Sequence, residues 1–166
     1  FRDSGVASGS SASVLVTSTG AVRTMRSSGI SLWCNPIAER NGELQTEVWY
    51  DSKTHLEDLD SVESVGRQAA KRAARMLGAK SVKTQSVPVI FEPHMSAGLV
   101  AGILGAIDGD MVYKKASFLG DKLDTLIAHP CLTVTDDPHI KRGIGSTPFD
   151  GEGLPTAPKH LIDKGR

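Results

Sequence analysis

One amphipathic helix, placed between stretches of β-strand pattern, constrains the fold of this chain more than any other feature. Apolar residues recur at helical spacing and predict a helix over about 61–77. We place Asp60 at the N-cap, with Glu63 completing a capping box, and Gly78 as the left-handed cap at the other end. The apolar face is formed by Val62, Val65, Ala69, Ala73 and Met76. The opposite face, predicted to be solvated, carries Arg67, Lys71, Arg72 and Arg75.

The residues before this helix have the pattern of β-strands. Residues 14–17 form a β-branched run, and residues 29–34 alternate apolar and polar side chains as a half-buried strand does. Asn41-Gly42 predicts a hairpin, because a type I′ turn needs positive φ at both central residues. Residues 44–50 alternate again. The serine- and glycine-rich start of the chain is interpreted as a loop or a broken strand end.

Two elements are predicted directly after the helix. Residues 82–91 have a strand pattern that starts near Pro88 or lies at a sheet edge, because proline cannot donate to the ladder. Residues 96–108 are apolar on nearly all sides and too short to span a bilayer, which takes about 20 residues. They predict a helix packed inside the protein, in which close backbone approach is allowed by Gly98, Gly102 and Gly105.

The remaining chain is expected to be loop-rich, with a strand over 132–135. The whole pattern predicts an α+β fold: a strand-rich first part with the long helix, then the start of a second mixed α/β domain. We place the boundary between them near residues 80–86, which gives domains of 1–82 and 83–166.

Charge and cysteine content exclude several classes of protein. Lys and Arg together number 19, as do Asp and Glu, so bulk attraction to nucleic acid or to an anionic membrane is not expected. Cys34 and Cys131 are far apart and are interpreted as reduced thiols of a cytoplasmic protein. The chain begins at Phe1 without a signal-peptide pattern and ends in a polar run, which we interpret as a piece of a longer protein.

A complete zinc site is not predicted. A zincin-type site needs two imidazoles one helical turn apart with a glutamate beside the first. No two histidines are close enough in sequence to share a helix face, and His94 is followed by Met95 and Ser96. The alternative is a single ligand completed by residues outside this sequence. The five histidines are His55, His94, His129, His139 and His160.

Two acidic pairs are the other candidates for chemistry. Asp136 and Asp137 precede a proline, and Asp150 and Glu152 flank a glycine. Carboxylates at such spacings can hold Mg²⁺ or Ca²⁺ or act as a general acid and base, yet Asp-Asp-Pro and Asp-Gly are also common turns. We favour the turn interpretation and assign no catalytic or metal-binding residue. The GxSxG, P-loop and GxGxxG motifs are absent.

Four ordered blocks in the second half resemble the TldD/PmbA family, and within it the TldE (PmbA) branch. The blocks are residues 88–91, 112–119, 136–139 and 145–156, of which the run Ser-Thr-Pro-Phe-Asp-Gly-Glu-Gly at 146–153 is the most specific. The helix at 65–70 and the residues at 77–79 agree less sharply. The resemblance covers nearly the whole chain but only the middle of a considerably longer family protein.

The resemblance implies a fold, a function and a partner. It makes residues 1–82 the C-terminal portion of the family's N-terminal or middle α+β region and residues 83–166 the beginning of its C-terminal metalloprotease-like domain. Family members resemble cytoplasmic peptidase subunits that cleave peptides and unfolded segments, and were earlier described as modulators of DNA gyrase. In the TldD branch a histidine–glutamate helix holds zinc, and TldE joins it in a heterodimer.

The zinc-bearing helix would fall just after Phe91, where this sequence lacks the His-Glu pair and the second histidine. The resemblance therefore implies a subunit without a cofactor of its own, with zinc on the partner. The second hypothesis is a non-proteolytic homodimeric scaffold that holds extended peptides by strand addition. A third, in which the acidic loops form an independent hydrolase site, is the weakest.

Overall fold

The computed structural model describes residues 2–166 of the chain, which contain seven strands and three α-helices. The strands are β1 (Asp3–Val16), β2 (Val22–Asn35), β3 (Ile37–Arg40), β4 (Glu43–Thr46), β5 (Trp49–Lys53), β6 (Val134–Asp136) and β7 (Lys159–Ile162). The helices are α1 (Val62–Met76), α2 (Pro93–Ala106) and α3 (Gly109–Tyr113), with a short 3₁₀ turn at Leu56–Asp58. The predicted α+β fold class is confirmed.

The chain divides into two compact units. Unit 1 consists of residues 1–82 and 137–157, and unit 2 of residues 83–136 and 158–166. The segment 137–157 therefore belongs to unit 1, although it follows most of unit 2 in sequence. The predicted domain boundary near residues 80–86 stays a prediction.

Unit 1 is built on an antiparallel sheet in the order β1-β2-β5. The pairing of β1 with β2 runs without a shift of register from Asp3 opposite Asn35 to Val16 opposite Val22. The predicted strand at 14–17 is thus the end of a 14-residue strand, and the interpretation of the preceding residues as a loop or a broken strand end is wrong. Strand β2 supplies a continuous ladder of hydrogen bonds, which overrides the low strand propensity of serine and glycine.

The hairpin predicted at Asn41-Gly42 is confirmed. It joins β3 to β4, and both turn residues have positive φ, 52° at Asn41 and 83° at Gly42. The pattern over 44–50 is divided between β4 and β5, so it is two short strands.

Helix α1 confirms the predicted element but not its cap. Ser61 is the N-cap, and its hydroxyl accepts a hydrogen bond of 3.1 Å from the backbone N–H of Ser64. Asp60 instead donates its backbone N–H to the carboxylate of Asp51 at 2.9 Å. Because the helix begins one residue later than expected, Glu63 is the second residue of α1 and the capping box does not form. Gly78 has a φ of 81°, as a left-handed cap requires.

The core of unit 1 lies between α1 and the sheet. Val65, Ala69 and Ala73 are buried on the helix, and Leu32 is buried on β2. Val62 and Met76, which were assigned to the same apolar face, are exposed because they lie in the first and last turns.

The strand predicted over 82–91 does not form. Residues 79–92 contain no regular secondary structure, and Ile90 is 98% exposed. A β-branched run becomes a strand only when another strand completes its hydrogen bonds, and no strand in residues 2–166 pairs with this one. Pro88 removes one of the donors that pairing would need.

Helix α2 begins three residues before the predicted start, and it is not packed inside unit 2. Ala106 is its one buried residue, whereas Met95 and Leu99 are exposed. A Cβ atom at Gly98, Gly102 or Gly105 would meet nothing within 4 Å, so the predicted close backbone approach is absent. When a helix is apolar on all sides, its sequence does not indicate which face is buried. Among residues 2–166, no helix is both long and apolar enough to cross a bilayer.

The last part of unit 2 contains more structure than the sequence indicated. The strand expected at 132–135 appears as β6, which pairs with β7 across an irregularity between Val134 and Thr135. Strand β7 was not predicted, and its Ile162 is fully buried.

Candidate functional site

The start of α2 is the position at which the family resemblance places a zinc-bearing helix. Pro93 is the first residue of α2, and the imidazole Nε2 of His94 lies 3.5 Å from the carboxylate of Glu92. Both side chains are partly exposed. From Met95 to the end of α2 the sequence contains no further histidine, cysteine or carboxylate. The helix therefore presents one imidazole where a zinc helix presents two.

The other four histidines lie on separate segments, each beside a hydroxyl or a backbone group. Their hydrogen-bond partners are Thr54 for His55 (2.9 Å), the N–H of Cys131 for His129 (3.2 Å), Thr156 for His139 (3.2 Å) and Thr135 for His160 (3.1 Å). Within residues 2–166, no three His, Cys, Asp or Glu side chains are close enough to hold one metal ion. Because a structural or catalytic zinc needs at least three protein ligands, the residues present do not fit a zinc site.

The first acidic pair is divided between the two units. Asp136 is the last residue of β6, and its carboxylate forms an ion pair of 2.9 Å with Lys159 of β7. Asp137 belongs to unit 1, and its carboxylate accepts a hydrogen bond of 2.9 Å from the backbone N–H of His139. This is the local hydrogen bond of an aspartate that begins a turn.

The second acidic pair forms a tight turn. One oxygen of Asp150 accepts hydrogen bonds from the backbone N–H groups of Glu152 and Leu154, both at 2.9 Å. Gly153 completes the turn with a φ of 85°, a conformation that favours glycine. These bonds support the turn interpretation. That none of the four acidic residues is catalytic stays a prediction.

The family-specific block at 146–153 packs against the β1–β2 hairpin of unit 1. The carbonyl of Gly153 accepts a hydrogen bond of 3.1 Å from Nε of Arg23, and a Cβ at Gly153 would lie 3.0 Å from Leu15. The hydroxyl of Thr147 lies 3.4 Å from the sulfur of Met25. These contacts join residues more than 120 positions apart, so sequence patterns gave no sign of them.

Arg142 connects the same segment to the residues that directly follow β5. Its guanidinium lies 3.0 Å from both carboxylate oxygens of Asp58 and 2.6 Å from the carboxylate of Glu57. Its carbonyl accepts a hydrogen bond of 2.9 Å from the hydroxyl of Thr54. The hydrogen bond that Arg142 donates to Asp58, and to a smaller extent the one it donates to Glu57, raise the pKa of the guanidinium. These contacts tie the segment 137–157 to the residues that follow β5.

Arg72 is a correction to the predicted solvated face of α1. It is only 8% exposed, its guanidinium lies 3.2 Å from Glu47, and it stacks over the ring of Trp49 at 4.9 Å from the ring centroid. Lys71, its neighbour in sequence, is exposed as predicted. A long arginine can turn its charge back toward the sheet when an aromatic ring and a carboxylate receive it.

An open groove beside α1 carries charges of both signs. It is lined by Trp49, Asp60, Ser61, Glu63, Ser64, Arg67, Gln68 and Lys71. Cations and carboxylates are mixed along the groove, so it selects no ligand by charge alone.

Two family models match consecutive parts of this chain. The model described as the PmbA/TldA metallopeptidase central domain matches residues 2–77, and the one described as the C-terminal domain matches residues 84–166. The chain belongs to the PmbA/TldD family. The family resemblance inferred from the four sequence blocks is thereby confirmed.

Individual relatives from bacteria support the same family. Metalloprotease PmbA of Escherichia coli O157:H7 is 37% identical over 129 residues, which are 78% of this chain and 29% of that protein. The metalloprotease PmbA homologue of Buchnera aphidicola subsp. Acyrthosiphon pisum is 34% identical over 152 residues, which are 92% of this chain and 34% of that protein. This PmbA/TldD-family chain thus spans about a third of the length of these relatives.

Solved structures of family members share the fold. A crystal structure of a Bacteroides thetaiotaomicron protein described as a modulator of DNA gyrase superposes with a TM-score of 0.90 at 29% identity. TldE from Thermococcus kodakarensis superposes with a TM-score of 0.83 at 26% identity. Each match covers 96% of this chain and 37% of the solved chain.

Proposed function

We propose that this chain is part of a TldE/PmbA-type subunit that acts with a zinc-bearing partner of the TldD type. The two subunits would form a heterodimer that cleaves peptides and unfolded protein segments. The observation that carries the proposal is the start of α2, where His94 has no second imidazole and no following glutamate along the helix. Since residues 2–166 contain no set of three side chains placed to hold one metal ion, we assign the zinc to the partner.

A peptide substrate is supported by the family to which the chain belongs. Both family models describe metallopeptidase domains, and the relatives in Escherichia coli and Buchnera are named metalloproteases. Unit 2 also exposes large apolar side chains that are suited to contact with unfolded segments, among them Ile90, Tyr113, Phe118 and Leu123.

A cytoplasmic location is part of the proposal. Cys34 and Cys131 are both free thiols, and the structure places Cys131 on the surface. Free surface thiols are typical of proteins in a reducing compartment. The balanced net charge supports neither nucleic acid nor membrane as a partner.

The test is peptidase activity of the full-length protein on an unfolded peptide, measured with and without a zinc-motif paralogue. We expect cleavage only in the mixture. His94→Ala should leave cleavage by the mixture within about twofold, because one imidazole does not complete a zinc site.

The other outcomes separate the competing hypotheses. Cleavage by the protein alone would contradict the assignment of zinc to the partner. Tight binding of the peptide without cleavage in either sample would favour the homodimeric scaffold. Loss of activity on changing both Asp136 and Asp150, with the fold intact, would favour the acidic hydrolase site.

A further inference from the structure

The turn between β3 and β4 is the dipeptide Asn41-Gly42, which is also a reactive pair of residues. Asparagine is thermolabile because the backbone nitrogen of the next residue can attack its side-chain amide. Glycine in the next position has no side chain to hinder this attack. The other asparagine of the sequence, Asn35, precedes Pro36, which has no backbone N–H to act as the nucleophile. Ring closure is therefore blocked at Asn35 and open at Asn41.

Both reacting groups of the turn are accessible to water and are not held by hydrogen bonds. Asn41 and Gly42 are exposed at the tip of the hairpin. In residues 2–166, neither the side-chain amide of Asn41 nor the backbone N–H of Gly42 has a hydrogen-bond partner. The nitrogen of Gly42 can thus approach the amide of Asn41 after a local opening of the turn alone.

The two Asp-Gly pairs of the chain can form the same ring, but their carboxylates are held in place. Asp108 accepts hydrogen bonds of 3.0 and 3.4 Å from backbone N–H groups at the start of α3. Asp150 accepts two such bonds of 2.9 Å within its turn. Ring closure at either aspartate must first break these bonds, each of which stabilises its turn or helix end. The comparison therefore singles out Asn41.

We propose that Asn41 is a site of spontaneous deamidation. The nitrogen of Gly42 forms a bond to Cγ of Asn41, and the Cγ–Nδ2 bond breaks. The leaving nitrogen takes the proton lost by Gly42 and departs as ammonia. Water then opens the succinimide ring at either carbonyl and gives aspartate or isoaspartate, each with a carboxylate where Asn41 was neutral. The inference does not depend on the proposed peptidase function.

The two products should affect the hairpin differently. Aspartate keeps the turn, because Asp-Gly suits a type I′ turn as Asn-Gly does. Isoaspartate adds a methylene group to the main chain. The turn has two residues between the paired Arg40 and Glu43, so it cannot absorb the extra atom without a change in their pairing.

Glu43 connects this turn to the end of α1. Both of its carboxylate oxygens lie 3.0 Å from the backbone nitrogen of Gly78, which donates its N–H to them. Gly78 is the left-handed cap of the helix, with a φ of 81°. A displaced Glu43 leaves this N–H without its acceptor. Isoaspartate at position 41 should therefore loosen the last turn of α1 together with the hairpin.

The site is tested by ageing the full-length protein at neutral and at mildly alkaline pH. Trypsin places the two asparagines in separate peptides, residues 27–40 and residues 41–53. We expect the second peptide to gain the mass of an amide-to-acid conversion, and the first to stay unchanged. The conversion should be faster at the alkaline pH, because the nucleophile is the deprotonated nitrogen of Gly42. Unaged protein digested in parallel measures any conversion during the digestion.

Two results would overturn the site. One is an unchanged peptide 41–53 over a period in which a synthetic peptide of residues 37–46 converts fully. The other is isomerisation at Asp108 or Asp150 before Asn41 reacts, detected by the altered chromatographic retention of their peptides.

The link to α1 is tested by isoaspartate labelling and amide hydrogen exchange. Aged wild-type protein should accept more methyl groups from protein isoaspartyl methyltransferase than aged Asn41→Gly, in which Gly-Gly suits the turn but carries no side-chain amide. Exchange over residues 37–46 and 74–79 should accelerate on ageing in wild type and stay constant in Asn41→Gly.

Circular dichroism establishes that Asn41→Gly is folded, and if it is not, unaged wild type serves as the reference. Aged protein that contains isoaspartate at position 41, yet exchanges at the end of α1 as slowly as unaged protein, would overturn the link.

Discussion

A Cβ atom at Gly5 would lie 2.6 Å from Cζ2 of Trp33, because the indole ring lies across the neighbouring strand at this glycine. The two residues are direct partners in the β1–β2 pairing. The indole N–H also donates a hydrogen bond of 3.1 Å to the carboxylate of Asp3, which fixes the ring over β1. Glycine is therefore required at position 5 because a side chain there would collide with Trp33, and not because of its backbone conformation.

This contact predicts the effect of adding one methyl group at Gly5. Gly5→Ala should lower the free energy of unfolding by about 1–3 kcal/mol, because the ring must move and its hydrogen bond to Asp3 lengthens. Gly9→Ala is the matched control, since a Cβ there meets nothing within 4 Å. Chemical denaturation of both variants measures the difference. Equal stability of the two would mean that Trp33 does not lie over Gly5.

Arg72 should be the one basic residue of α1 with a large effect on stability. Arg72→Ala removes the stack on Trp49 and the partner of Glu47, and should cost roughly 2–4 kcal/mol. Lys71→Ala changes an exposed neighbour and should stay within about 0.5 kcal/mol of wild type. Thermal and urea unfolding provide the measurement. If both substitutions changed the free energy of unfolding by a similarly small amount, the result would support the sequence-based prediction that the whole basic face of α1 is solvated.

The Arg142 cluster should control the mobility of the segment 137–157. Arg142→Ala removes the contacts with Glu57 and Asp58, so amide hydrogen exchange in this segment should accelerate. The same acceleration should appear in wild type at high salt, which screens exposed ion pairs. Lys114→Ala breaks a local pair four residues apart in unit 2 and is the control. Unchanged exchange in Arg142→Ala would show that other contacts hold the segment.

Asp51 predicts how the stability of unit 1 depends on pH. Burial raises the pKa of its carboxyl, but the hydrogen bond from Lys53 and the backbone N–H of Asp60 outweigh it, so the pKa lies below its ordinary value of 3.8. A depressed pKa in the folded state stabilises the protein above the unfolded-state value and loses that stabilisation as the pH falls through the folded value. The stability difference between wild type and Asp51→Asn should therefore be full near neutral pH and shrink below about pH 4.

Unfolding measured between pH 7 and pH 3 tests this dependence. Lys53→Met removes the same ion pair and should flatten the same acid limb. A difference between wild type and Asp51→Asn that stays constant, or grows, toward acid pH would contradict the assignment.

The sequence correctly predicted those elements that are determined by residues close together in the chain. Asn41 and Gly42 adopt positive φ because the type I′ turn requires it, and Gly78 does so at the end of α1. The cap of α1 was placed one residue early, because Asp60 and Ser61 are both suitable and only the distant Asp51 decides between them. Boundaries thus depended on contacts that the local pattern does not contain.

Elements that depend on distant partners were beyond the sequence pattern. The serine-rich β1 is a strand because β2 pairs with it, and residues 87–91 are not a strand because nothing in residues 2–166 pairs with them. Arg72 turned inward because Trp49 and Glu47 lie opposite. The family resemblance identified the family correctly, whereas hydrophobic periodicity missed these elements. The four matching blocks are runs of sequence, so recognising them does not depend on tertiary contacts.

We propose that this protein carries no zinc site of its own, and its zinc content tests that proposal most directly. The full-length protein should be dialysed against zinc and buffer, alone and in complex with a zinc-motif paralogue, and the metal measured by mass spectrometry. We predict about one zinc per complex and none retained by this protein alone. One zinc per chain in the isolated protein, lost on His94→Ala, would contradict the account.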